Sequence, residues 1–205
     1  MANNNSQGFG LKAAMRAGNT PAIQGQSKYE IDAGETNAIY NGEPVKVDIS
    51  ATTGGYIVTA AAGTSMVGVL NGVLYTDATS KKPTWSNYYP AGTTPANSED
   101  ITAFVNDDPF QEYIIGTNAT LGATLALRKS KIGLTYATTA AAGDTANGKS
   151  TITLDISSAA TTAKQLRMVR VAEDPENEDQ TAANCSVVVK VNTHQYLTGS
   201  LTTGI

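Results

Sequence analysis

Proton transfer and nucleophilic attack need side chains with tunable pKa values, and this chain holds one histidine, His194, and one thiol, Cys185. They lie nine positions apart around a candidate strand, so a Cys–His pair forms only if the chain doubles back. His194, within Asn192-Thr193-His194-Gln195-Tyr196, is expected instead to be a hydrogen-bonded residue at a strand end, and Cys185 a small buried one. Carboxylates gather at Asp107-Asp108 and in Asp174, Glu176, Glu178 and Asp179 around Pro175. The second group alternates its oxygen ligands but lacks the central glycine and distant glutamate of an EF-hand loop, so a solvated acidic turn is expected. Gly8-Phe9-Gly10 has no strand before it to make a phosphate cradle. Paired carboxylates for glycoside hydrolysis would need a sugar-binding pattern, and only the aromatics around Trp85 offer one. The expectation is no enzyme, with no metal and no cofactor.

The composition points the same way. The formal charge of −4 and pI near 4.9 argue against a nucleic-acid partner, which selects for a basic face. Charged residues make up 16% of the 205, below the roughly one quarter usual, and Ala and Val supply much of the 40% that is hydrophobic. Nineteen glycines and many threonines suit short strands and tight turns. A lone cysteine allows no internal disulfide. Residues 1–27 lack the apolar core of a signal peptide, and no apolar run approaches a membrane span. The chain therefore reads as a soluble cytoplasmic product, and Asn-x-Ser/Thr at Asn118 and Asn184 carries no glycosylation meaning.

The elements that must position these residues are strands. Val45, Val47 and Ile49 alternate with Lys46, Asp48 and Ser50, and Ile152 to Ile156 alternates as cleanly. Strands are also expected at residues 29–31, 38–40, 56–58, 101–105, 112–115, 165–171 and 186–192, and less clearly at 121–127 and 132–136. Asn71-Gly72, flanked by Met66 to Leu70 and Val73 to Thr76, is the strongest hairpin signal, because Asn-Gly tolerates the positive φ angles of a type I′ turn. Helical periodicity is nowhere sustained for three turns. The fold class is all-β: an antiparallel barrel or sandwich of short strands with a flexible amino-terminal arm and little helix. Three regions follow: the arm (1–27), a β domain around the hairpin (28–136), and a second β segment (137–205), either a small lobe or completing the same sheet.

Two stretches invite a partner. The arm is polar with scattered anchors, and it is expected to order on another surface, with Phe9, Leu11 and Met15 making apolar contacts and Lys12 and Arg16 meeting acidic groups. The long loop 77–99 carries the only tryptophan in Trp85-Ser86-Asn87-Tyr88-Tyr89-Pro90. It reads as a lid over an open barrel end or as an interface patch of Trp85, Tyr88 and Tyr89.

Several segments, in order, resemble the capsid decoration (cement, head-stabilising) proteins of tailed bacteriophages, as in marine and cyanobacterial short-tailed phages. They are Gly8-Phe9-Gly10-Leu11, Tyr40-Asn41-Gly42-Glu43-Pro44-Val45-Lys46, Gly68 to Tyr75, Ser86-Asn87-Tyr88-Tyr89-Pro90 and Phe104 to Pro109. Gln165-Leu166-Arg167, Pro175-Glu176-Asn177, Val191 to Gln195 and Gly204-Ile205 continue the series. The resemblance implies a non-enzymatic virion protein on the outer capsid surface, assembled in the host cytoplasm. It implies a homotrimer clamping neighbouring subunits of the major capsid protein, with no membrane partner and no catalytic residues. A glycan-binding adhesin or other virion fibre protein, acting through Trp85, Tyr88 and Tyr89, is the competing expectation.

Overall fold

Alternation decides most of the strands, because successive side chains leave opposite faces of an extended chain. Ser27–Ile31 shows it plainly: Lys28 and Glu30 are exposed while Ile31 is fully buried. The computed structural model describes residues 7–18, 25–50, 52–140, 143–173, 177 and 179–197. In chain order the first strands are β1 (Lys12–Arg16), β2 (Ser27–Ile31), β3 (Pro44–Val47), β4 (Ile57–Thr59) and β5 (Gly68–Thr76). Next come β6 (Pro83–Ser86), β7 (Ile101–Asn106), β8 (Gln111–Gly116), helix α1 (Leu125–Lys131) and β9 (Thr135–Tyr136). The series ends with β10 (Gly143–Asp144), β11 (Lys149–Ser150), β12 (Leu166–Val171) and β13 (Ser186–Val191).

These strands build two antiparallel sheets and one two-residue ribbon, β10–β11. The six-stranded sheet runs β2-β7-β5-β3-β4, with β6 also paired to β5, and the five-stranded sheet runs β1-β8-β13-β12-β9. The all-β expectation holds, in the form of a sandwich. The six-stranded sheet curls until β2 and β4, the ends of its order, touch. Inside the curl lie Ile31, Ile39, Val45, Ile57, Val73, Tyr89 and Ile101. A second core backs the five-stranded sheet with Tyr113, Ile115, Leu166, Met168, Val187 and Val189. Leu11 from the amino-terminal segment, Met66 just before β5 and Val69 within it join that second core and weld the layers together.

Three expectations need correction. Asn71-Gly72 makes no hairpin turn: it lies inside β5, a single nine-residue strand, and neither residue has positive φ. Leu70 pairs with Val105 and Gly72 with Phe104, so Asn71 is the extra residue of a β-bulge. The bulge sits where β5 changes partner, from β3 at Gly68 and Val69 to β6 from Val73 onward. Residues 12–16 are not a free arm. They form an edge strand on β8, with Lys12 opposite Ile114 and Arg16 opposite Gln111. In the second β segment β13 pairs with β8 and β12 with both β13 and β9, so these strands share a sheet with strands of residues 28–136.

The third correction is α1, a helix at Leu125–Lys131 where the sequence pattern predicts a strand over 121–127. Leu-Ala-Leu-Arg-Lys favours a helix, and the Thr124 hydroxyl caps it by accepting from the Leu127 N–H at 3.3 Å. Residues 152–156 are likewise no regular strand, although their alternation reports burial: Ile152, Leu154 and Ile156 all enter the core.

Candidate functional surface

An exposed aromatic surface grows from the pairing of β6, β5 and β7. Leu74 stands opposite Trp85 on one side and opposite Thr102 on the other, so their side chains share the sheet's outer face. Gly72 and Phe104, paired two residues along, share it too. The Trp85 ring lies 5.2 Å from Phe104, tilted 53°. A Cβ at position 72 would fall 2.5 Å from Trp85 Cζ2 and 2.9 Å from the Ser86 carbonyl oxygen, so glycine provides the flat floor under the indole. Trp85 remains 53% exposed and Leu74 39%. The result is an apolar platform on three hydrogen-bonded strands.

The predicted patch of Trp85, Tyr88 and Tyr89 is divided between three environments. Tyr89 belongs to the core of the curled sheet, fully buried, with its hydroxyl donating to the Glu35 carbonyl at 2.7 Å. An isolated bridge between Ile39 and Tyr89 pins its backbone. Tyr88 is half-buried and stacks parallel on Tyr40 at 5.4 Å. Trp85 alone faces outward, joined by Leu74 and Phe104, which the sequence reading missed. Taking residues 68–76 as one strand would have put Gly72 and Leu74 on one face beside the indole.

The amino-terminal candidates also separate. Leu11 is buried in the core and Phe9 is half-buried beside Gly116. Lys12 and Met15 are exposed along the edge strand. Arg16 pairs with Asp108, Nε to Oδ2 at 2.6 Å, a contact within the protein rather than with a partner.

The acidic pair Asp107-Asp108 has structural duties. The Asp108 carboxylate accepts the Phe110 N–H at 2.9 Å, closing the turn between β7 and β8. Asp107 accepts from the hydroxyls of Ser27 (2.9 Å) and Tyr29 (2.8 Å). Burial, followed by the bond to Asp107, pushes the Tyr29 phenol above its ordinary range. The acidic turn predicted around Pro175 lies largely outside the described residues. Among the described residues no cluster of three or more His, Cys, Asp or Glu is arranged to hold a metal ion.

His194 fits its expected role. Its Nδ1 accepts the Tyr196 N–H at 3.1 Å, so the proton sits on Nε2, which donates to the Asp107 carbonyl at 3.1 Å. The ring is buried, and burial pushes its pKa below the ordinary 6.5 despite the nearby Asp107. Stability contributed by this lowered pKa is present above pH 6.5 and is lost as acidification protonates the unfolded chain first. Urea midpoints measured between pH 7.5 and 5 should therefore fall less steeply for His194→Gln than for the native chain. Parallel profiles would contradict the neutral, buried ring. Cys185 is fully buried in the core, and burial raises its thiol pKa, the opposite of an activated nucleophile.

A different surface is presented by α1. Leu125, Leu127 and Ile132 are exposed, and Arg128, Lys129 and Lys131 stand among them. Among the described residues no helix is long and apolar enough to cross a membrane. Comparison with protein-family models, with curated proteins and with solved structures finds no match to this chain.

Proposed function

We propose that this chain is a structural virion protein that binds the outer surface of a tailed-phage capsid and bridges neighbouring subunits of the major capsid protein, acting as a homotrimer. The observation that supports this reading is the platform of Trp85, Leu74 and Phe104. Tryptophan in an apolar setting is what protein interfaces are centred on, and strands already fixed on both sides of β5 lose little entropy on binding. The segments that resemble cement proteins support it from the sequence. Because Leu11 is locked into the core, contacts from the amino-terminal edge fall to Lys12 and Met15. A repeating shell offers many identical sites, so each contact can be modest.

Purified capsids stripped of decoration provide the test. Trp85→Ala should lower affinity for the shell by about thirtyfold, the change expected when a hot spot worth about 2 kcal/mol is removed. The variant should still unfold cooperatively. Undiminished occupancy would remove the platform from the interface. Glycan-array binding by the native chain that disappears in Trp85→Ala would favour the adhesin instead, with Trp85 as the sugar-stacking ring.

A further inference from the structure

Where the two sheets meet, a groove of about 680 Å³ opens between the amino-terminal edge and the bulged part of β5. Its polar lining includes Lys12, Gln26, Asn41, Asn71, Asn106 and Lys149, over an apolar floor. No Asp or Glu lines it among the described residues, although the chain carries 18 acidic residues against 14 Lys and Arg. The charged side chains of its described lining are Lys12 and Lys149 alone. The Asn41 side chain crosses to the bulge, its Nδ2 donating to the Asn71 carbonyl at 2.5 Å, and so fixes one wall. Asn106 forms part of another, with its main-chain carbonyl held by the Tyr113 hydroxyl at 3.0 Å. Asn106 is only 7% exposed and its Oδ1 is buried away from solvent, so it serves the wall rather than a ligand.

We propose that this groove binds an extended, acidic peptide segment of a partner protein. Side-chain carboxamides offer the same donor–acceptor pair as a peptide bond, and a row of them can follow an extended backbone as a neighbouring strand would. The segment's carboxylates meet the ammonium groups of Lys12 and Lys149, and its backbone meets the exposed carboxamides of Gln26 and Asn71. A glycan fits less well. The rings that line the groove are Phe9 and Tyr113, and Tyr113 is 1% exposed and engaged through its hydroxyl, so no broad aromatic face is free to stack on a sugar. Two lysines are also too few to track a phosphate backbone. The bulge at Asn71 thereby gains a purpose: the extra residue becomes part of the wall.

A displayed library of random octapeptides panned on the full chain tests the assignment, with enriched peptides resynthesised and measured by fluorescence anisotropy. Enriched sequences should carry Asp or Glu, and their affinity should fall at least tenfold in both Lys12→Glu and Lys149→Glu. Both lysines are exposed, so their substitution reports on the groove without disturbing the core. Absence of enrichment overturns the proposal, as does enrichment of peptides that bind the lysine variants unchanged. Glycan-array binding that depends on Lys149 or Lys12 overturns the peptide assignment in favour of a sugar.

Discussion

Gly68→Ala is expected to cost about 3 kcal/mol, the upper part of the range for overpacking. In a chain of this length that lowers the thermal midpoint by roughly 6–12 °C. At this position an added Cβ would lie 2.3 Å from the Asn106 carbonyl oxygen, 2.9 Å from its carbonyl carbon and 2.7 Å from Val105 Cγ1. Two of those atoms are backbone of β7, the strand that pairs with β5, so relief requires the ladder itself to move. Gly72 is a milder neighbour, because the atoms closest to its missing Cβ belong to the Trp85 ring. Gly72→Ala should cost about 1–2 kcal/mol and Gly72→Val more. Trp85→Ala should recover part of either loss, a coupling that a double-mutant cycle measures directly. Calorimetry of Gly68→Ala showing a native midpoint would mean that β5 and β7 do not approach as described. Additive losses in the cycle would mean that the indole does not rest on Gly72.

The second large effect is on pH dependence and belongs to Glu43. Its side chain is 1% exposed, accepts the Tyr40 N–H at 2.8 Å, and forms no ion pair among the described residues. Burial outweighs the hydrogen bonds from Tyr40 and Thr59 and raises the carboxyl pKa from 4.5 to about 7. Below pH 4.5 the group is protonated in folded and unfolded chains alike, and folding carries no charge penalty. As pH rises towards 7 the unfolded chain ionises first, so stability falls, and above 7 the full penalty of about 3 kcal/mol is in place. Glu43→Gln keeps an acceptor for the Tyr40 N–H and removes the charge. The variant should gain about 3 kcal/mol relative to the native chain between pH 4.5 and 8, read from urea unfolding. A constant difference across that range would show that the carboxyl is not desolvated. Glu43 and His194 act with opposite signs and partly offset one another below pH 6.5, which is why single variants are needed to see either.

The site of Glu43 also explains why sequence reading went only so far. Gly42 accepts the Leu11 N–H through its carbonyl at 2.8 Å and donates its own N–H to the Leu70 carbonyl at 2.9 Å. One glycine thus ties the amino-terminal segment to β5. No local pattern announces such a contact, so residues 12–16 read as a polar arm although their neighbour Leu11 is core. Period-two alternation found most strands because it is a local property. It failed at Asn71-Gly72 because the same dipeptide serves a turn or a bulge, and only the partner strands decide between them. Trp85 stands out in the sequence by its type and setting, and the structure leaves it exposed. Tyr89 was not separable from it, since two adjacent positions in an irregular stretch gave no sign that one would enter the core. Lys12 and Lys149 are brought to one groove only where the two sheets meet, which no local pattern signals.

The order of the five-stranded sheet has a consequence for how the protein is made. Its last strand in the chain, β13, occupies the middle, with β8 on one side and β12 on the other. Until residues 186–191 have left the ribosome, β1 with β8 and β9 with β12 can form only separate ribbons, each with a naked edge where β13 belongs. Closing them brings together residues far apart in the chain, the kind of topology that folds slowly and exposes sticky edges while it waits. A nascent chain stalled short of residue 186 is therefore a substrate for chaperones and proteases, whereas a finished one seals both edges with a single inserted strand.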